Sequence, residues 1–286
     1  MGLRKLLILF SLLIAPIDMA RAADATACTQ AMAMISDQAL TTAVSSHWSD
    51  FYNVYKKWAV CDDGAIAESF SDSAAQLFAK HWGGIGQFFA FAAKDDDFED
   101  FALRHIDETD DADDLDRIAT NAEKSCPQGK DRFCNAIWGQ AKYPDVADWL
   151  WGYARNQKSD WGDSIGYYPR YNEYVVGDLS GGGQDAVIVA FTLEGVRGGT
   201  DWLRYIAVFL KSPNSKTQQH MKCCIYQIGG KGIADAESVE IKNQEILIKG
   251  KAFVEGKDAY CCPSKPMIIR LKLMNGKLVE EKGNGS

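Results

Sequence analysis

The chain lacks most of the short motifs by which catalytic and redox proteins declare themselves. It has no Cys-x-x-Cys pair, no His-Glu-x-x-His, no Walker-type phosphate loop and no Gly-x-Gly-x-x-Gly at a strand-to-helix junction. Thioredoxin-like, zinc-peptidase, P-loop and dinucleotide chemistries therefore have no sequence basis here. Histidine is scarce: four residues, His47, His81, His105 and His220, none of them in a motif. His81 and His105 lie beside apolar stripes and read as partly buried helix residues. Basic residues are outnumbered 31 to 39, for a net charge of −8. Such a chain repels phosphate backbones and anionic lipid, which excludes nucleic acid as an expected partner and favours a basic protein or a cationic ligand. After residue 17 no apolar run is long enough to cross a membrane, so no membrane insertion is expected. Long repeats and low-complexity segments are missing as well.

What is present begins with a leader. Arg4 and Lys5 precede the apolar run Leu6 to Ile17, and Ala20-Arg21-Ala22 supplies the small residues of a cleavage site. Residues 1–22 read as a signal peptide, and the protein as periplasmic or secreted. The leader carries three basic residues against Asp18, so the remainder stands near −10. All eight cysteines follow it: Cys28, Cys61, Cys126, Cys134, Cys223, Cys224, Cys261 and Cys262. An even count in an exported chain points to disulfides. The simplest pairing joins Cys28 to Cys61, Cys126 to Cys134, and the doublet Cys223/Cys224 to the doublet Cys261/Cys262, because neighbours on a strand face opposite ways and seek different partners.

The period of the apolar residues changes midway. Ile66, Phe70, Leu77, Phe78 and Trp82 form a helical stripe, and so do Phe98, Phe101, Ala102 and Ile106, then Leu115, Ile118, Ala119 and Ala122, then Val146, Trp149, Leu150 and Tyr153. Asp110 and Asp111 are placed to cap a helix, and Pro144 suits a first helical turn. From about Tyr168 the period becomes two. Strands are expected at 171–176, 186–191, 203–210 and 223–228, at Val239–Ile241 and Ile246–Ile248 around Asn243-Gln244, and at Met267–Leu273 before the turn Asn275-Gly276. The expectation is an α+β protein: a helical bundle over 23–157, then a mainly antiparallel β domain over 158–286 whose opening residues form a linker, the whole disulfide-bonded.

Gly177-Asp178-Leu179-Ser180-Gly181-Gly182-Gly183-Gln184-Asp185, between two expected strands, resembles the strand-connecting loop of FG-GAP and VCBS-type β repeats. The resemblance implies a calcium cage with Asp178 and Asp185 as its first and last acids. Ser180 and Gly182 stand where the two middle acids belong, which makes calcium a weak candidate, since the ion takes six to eight oxygens. No other cofactor is expected. The segment from Tyr171 to Leu273, with Asp258-Ala259-Tyr260-Cys261-Cys262-Pro263-Ser264, also resembles a domain of uncharacterised bacterial exported proteins, which implies no activity.

Two places carry the functional expectations. From Asp95 to Asp116 twelve carboxylates face one arginine, Arg104. With Phe98, Phe101, Ile106 and Leu115 turned inward, these acids are expected to form one negative outer surface. Asp95, Asp96, Asp97, Asp113 and Asp114 would then dock a basic extracytoplasmic protein such as a cell-wall hydrolase, as an inhibitor or immunity protein does. The alternative is a groove between the halves, where Trp149, Trp151, Tyr153, Trp161, Tyr167, Tyr168 and Tyr171 crowd together. There Trp151 and Trp161 would line a glycan-binding or hydrolytic site, while Trp149 and Tyr153 pack. A structural envelope component is the third reading.

Overall fold

Seven α-helices come first among the described residues: α1 Trp48–Trp58, α2 Gly64–Lys80, α3 Ile85–Ala92, α4 Asp96–Arg104, α5 Ala112–Lys124, α6 Asp131–Lys142 and α7 Pro144–Arg155. The structure is a computed structural model that describes residues 28–29, 46–183, 186–211 and 219–281. The leader at 1–22 and Asp185 lie outside the described residues. Local chemistry explains the helix bounds. Asp63 caps α2 by accepting the Gly64 amide, Asp111 caps α5 by accepting those of Asp113 and Asp114, and Pro144 opens α7. The apolar stripes meet in an aromatic core in which Trp48, Phe51, Phe78, Phe88 and Phe98 are fully buried.

Nine strands follow: β1 Gly166–Tyr167, β2 Glu173–Gly177, β3 Ala186–Glu194, β4 Trp202–Lys211, β5 His220–Gly230, β6 Ala234–Lys242, β7 Glu245–Ala252, β8 Lys265–Met274 and β9 Lys277–Glu280. All pairings are antiparallel. The order is β1-β3-β4-β5-β6-β7-β8-β9, with β2 also paired to β3. Asn243 and Gln244 (φ 53° and 64°), and Asn275 and Gly276 (φ 52° and 71°), make the two-residue turns that fit the right-handed twist of a hairpin. The chain is thus an α+β protein, as expected. No helix among the described residues is long and apolar enough to cross a membrane.

The sheet folds over on itself. β5 and β6 pair only at Gly230↔Ala234, so beyond that corner they diverge, and β6–β9 lie against the face of β3–β5 that carries Ile188, Ala190, Ile206, Val208 and Ile228. The other face of β3 and β4, with Val187, Val189, Phe191, Ala207 and Phe209, packs on Val146, Leu150 and Ala154 of α7. Coverage on both sides is why Ala186–Phe191 is buried without alternation. Trp149 stacks on Tyr153 and meets Phe209 edge-on, so this pair packs on the sheet.

Helices and sheet are joined through β2. Its free edge is capped by Asn135 of α6, whose Nδ2 donates to the Tyr174 carbonyl at 3.0 Å and whose Oδ1 accepts the Tyr174 amide at 2.7 Å. One side chain here stands in for a neighbouring strand.

The disulfides Cys28–Cys61 and Cys126–Cys134 form as expected. The doublets do not join each other: Cys223 pairs with Cys224, and Cys261 with Cys262. Distance is the first reason. Cys223 and Cys224 lie by the β8–β9 turn, both sulfurs near the Gly276 carbonyl, whereas Tyr260, beside Cys261, meets Gly232 at the β5–β6 corner. Six residues of β5 separate these places, about 20 Å. The second reason is a bulge. Val208 pairs with Cys224 and Phe209 with Lys222, which leaves Cys223 unopposed and breaks the alternation assumed for neighbours. Non-reducing peptide mapping is expected to find Cys223 bound to Cys224 and Cys261 to Cys262 within single peptides; a peptide joining the doublets would contradict this topology.

Candidate functional site

A cavity of about 680 Å³ opens where the helices meet the start of the sheet. Six chain segments wall it, the last being Tyr167 and Pro169 at the start of the sheet. The 3₁₀ turn Ala59–Cys61, tied down by Cys28–Cys61, delivers Asp62 and Asp63. Helix α2 contributes Glu68 and Ser71, the end of α4 and its following loop contribute Arg104, His105 and Asp107, and α6 contributes Gln140. On α7, Asp148, Trp151 and Arg155 recur at i, i+3 and i+7 on the face turned away from the sheet. One amphipathic helix thereby seats the sheet with one side and lines the cavity with the other.

A chain of polar contacts crosses the floor. Ser71, buried in α2, donates from Oγ to Asp107 Oδ2 at 2.8 Å, and the same oxygen lies 3.0 Å from His105 Nδ1. On its other side, Nε2 of His105, in a side chain 5% exposed, lies 3.2 Å from Asp62 Oδ1 and forms an ion pair with it when the ring is charged, both atoms being sealed from solvent. Gln140 donates to the Leu103 carbonyl at 2.8 Å, and its Oε1 is buried too. These atoms are sealed from solvent behind the cavity wall, which the carboxylate-bearing residues Asp63, Glu68, Asp107 and Asp148 also line.

Burial works against the charge of Asp62, but His105 and the ion pair with Arg104 outweigh it and hold the carboxyl below its ordinary value. Burial pushes His105 down, against the pull of Asp62 and Asp107 and with the repulsion of Arg104. Asp148 keeps access to solvent, yet burial against the walls, with Asp107, Glu108 and Asp145 nearby, pushes it up to about 7. Asp63, Glu68, Asp107 and Asp148 take part in no ion pair among the described residues, while Arg104 is engaged by Asp62.

Asp62, His105 and Ser71 have the composition of an acyl-transfer triad. The geometry does not match that template, in which the serine proton goes to the histidine: Ser71 is buried and donates to Asp107 at 2.8 Å. Gly162-Asp163-Ser164-Ile165-Gly166 has the spacing of a nucleophile elbow. That motif needs a strand-to-helix turn, and this stretch instead leads from α7 to β1, on an isolated bridge between Lys158 and Ser164.

The acidic stretch does not form one surface. Asp95 is bonded by Tyr52, Tyr55 and Lys56, Asp114 is buried in a pair with Lys80, Asp116 pairs with Lys142, and Asp100 is buried against Arg170. Asp110 is buried too, and that burial, opposed by the Asp107 amide, drives it up to about 8. Asp96, Asp97 and Asp113 are exposed. Of the two groove tryptophans, Trp151 lines the cavity, its ring 4.8 Å from the Arg104 guanidinium and 6.0 Å from that of Arg155. Trp161, 81% exposed, lies apart, near Gly198 of the β3–β4 hairpin. His105 is buried as expected, whereas His81 is exposed at the end of α2. Asp178 accepts the amides of Ser180, Gly181, Gly182 and Gly183, so the loop's own backbone surrounds the carboxylate that the calcium reading required. Among the described residues no cluster of His, Cys, Asp or Glu could hold a metal ion.

The sequence pointed to Trp151 and His105, but not to Asp62, Glu68, Ser71, Asp107, Gln140 and Asp148 as parts of one site. A local signal exists only on α7, where Asp148, Trp151 and Arg155 oppose the apolar face. Comparisons with family models, with curated proteins and with solved structures found no match to the chain.

Proposed function

We propose that this chain is an exported binding protein whose junction cavity receives a cationic, hydrogen-bond-donating group. The observation that carries the reading is a cavity lined by four carboxylate residues, Asp63, Glu68, Asp107 and Asp148, that take part in no ion pair among the described residues. An ammonium group supplies those carboxylates with both hydrogen-bond donors and the opposite charge. A sugar is the weaker fit, because the Trp151 ring on which it would stack already has guanidinium neighbours. The same chemistry accommodates a lysine side chain of a basic protein, and Asp97, exposed beside the cavity, suits such an approach.

Calorimetric titration of the full chain with 1-aminobutane and with 1-pentanol, of similar size but uncharged, tests the reading. Saturable heat for the amine alone, weakened when Glu68→Gln and Asp148→Asn are combined, is expected. Equal responses to amine and alcohol, or none to either, would count against it.

A further inference from the structure

Four of the eight cysteines have a structural account. Cys28–Cys61 spans a separation of 33 residues and Cys126–Cys134 one of 8, and Cys61 and Cys134 are each 5% exposed among the helices. Such bridges stabilise by restricting, in the unfolded chain, the loops they close. The other two join residues adjacent in sequence. They close no loop and tie no element to another, so that source of stability is missing and their use lies in the chemistry of the sulfurs.

The two doublets sit in different surroundings. Cys223 and Cys224, within β5, are half-buried against the core between the sheet layers, with both sulfurs near the Gly276 carbonyl. Cys261 and Cys262 are exposed, on the loop between β7 and β8. That loop is held without its sulfurs. Asp258 Oδ2 accepts the amides of Val254 and Ser264, each at 2.9 Å, and so ties the two ends of the loop together. The Cys262 amide donates to the Ala259 carbonyl at 2.8 Å, the Tyr260 carbonyl accepts the Gly232 amide at 3.4 Å, and the Tyr260 ring stacks on Phe253. None of these contacts passes through the bridge, which can therefore open and close on a scaffold that stays in place.

We infer that the Cys261–Cys262 bridge is a thiol-exchange site that takes an electron pair from a dithiol. One thiolate of the donor attacks either sulfur, the S–S bond breaks, and a mixed disulfide forms while the displaced cysteine leaves as a thiolate and takes up a proton. The donor's second thiolate then attacks the donor sulfur of the mixed disulfide, closes the donor's own disulfide and releases the second cysteine, which is protonated in turn. The bridge gains two electrons and two protons, and the donor loses them. A dithiol is the fitting donor because the displaced cysteine stays one residue away and reverses the first step; a second thiol on the same donor competes with it as another intramolecular reaction. Exposure gives the donor access, and exposed bridges are the ones that exchange readily. The site is separate from the junction cavity, whose lining includes no residue of this loop.

The test equilibrates the full chain under native conditions with mixtures of reduced and oxidised dithiothreitol, blocks free thiols with N-ethylmaleimide and locates the label by peptide mass. Cys261 and Cys262 are expected to be labelled together, at a reduced-to-oxidised ratio at least about tenfold lower than any other cysteine requires. The circular dichroism of the sheet is expected to stay unchanged, and an excess of oxidised dithiothreitol to restore the bridge. Equal reduction of the two doublets would mean that adjacency, and not this loop, sets the reactivity; labelling of Cys261 and Cys262 only together with the loop-closing bridges would make the pair inert. Either result overturns the site, as would loss of the sheet signal on reduction. A protein with Cys261→Ser and Cys262→Ser is expected to keep the denaturant midpoint of the unaltered chain, and a clear fall in that midpoint would return the bridge to a structural role. The labelling uses the unaltered chain and decides the matter even if the variant fails to fold.

Discussion

Replacing Gly139 by alanine is expected to destabilise the chain by about 3 kcal/mol, the upper range for forcing added atoms into a packed core. A Cβ built on Gly139 would lie 2.1 Å from ring atoms of Tyr174, with a third ring atom at 2.5 Å. Real carbon contacts sit near 3.5–4.0 Å, so α6 or β2 has to move. Neither moves freely. Tyr174 is 3% exposed, and its backbone is tied to Asn135 of the same helix through both its amide and its carbonyl. Withdrawing α6 from β2 would strain those two bonds together. Denaturant unfolding of Gly139→Ala should show a lower midpoint for helical and sheet signals alike, because the contact joins the two. Trimming the partner as well, with Tyr174→Ala, should cost less in the Gly139→Ala background than in the unaltered chain, as expected for residues in direct contact. Strictly additive effects would mean that the close approach of α6 and β2 is not what limits stability.

The second large effect concerns pH. Cation affinity is expected to fall about tenfold between pH 8 and pH 6, the loss that follows when one group titrating near 7 must be ionised to bind. Asp148 is that group, pushed up to about 7 by burial and by Asp107, Glu108 and Asp145. The sign follows from its charge. A bound ammonium favours the carboxylate, so it lowers the Asp148 pKa, and binding near pH 7 releases a proton. Affinity therefore rises with pH through 7 and levels off above it. His105 acts in the same direction. Facing Asp62, Ser71, Arg104 and Asp107, and pushed down by burial, it becomes charged only on acidification. Its positive charge beside the cavity would then oppose a cationic ligand. Titrations in two buffers of different ionisation heat read the released proton directly. Asp148→Asn should weaken the amine by about 10- to 100-fold, the worth of a hydrogen bond to a charged group at 1.5–3 kcal/mol, and should flatten the pH dependence. An affinity that stays constant from pH 6 to 8 would remove Asp148 from the binding step.

The site has the character of a compromise between stability and function. Acids left unpaired in a cavity cost folding free energy, and natural chains keep such groups where a ligand completes them. The acidic stretch around it shows the opposite management. Lys56, Lys80, Lys142 and Arg170 are each brought from elsewhere in the chain to an acid of that stretch. Charge counted along the sequence therefore overstated the charge available at the surface.

The sequence by itself determined whatever depends on one element and its contact with water. The stripe Ile66, Phe70, Leu77, Phe78 was enough to specify α2, Asp111 its neighbour's cap, Pro144 the start of α7, and Asn243-Gln244 and Asn275-Gly276 the tight turns, because periodicity and turn chemistry act over a few residues. The run Ala186–Phe191 marked a strand, while its coverage on both faces came only with the fold. Two disulfides were legible by proximity along the chain. The tertiary structure decided the rest. Which sulfurs meet across β5 and the β7–β8 loop depends on the corner at Gly230 and the bulge at Cys223, neither of which alters local composition. The cavity needs Asp62, Ser71, His105, Asp107, Gln140 and Asp148 from segments spread over more than eighty residues. A local pattern tells which side of a helix is buried; it holds no information about which other helix arrives there, or whether the acceptor it presents will find a donor.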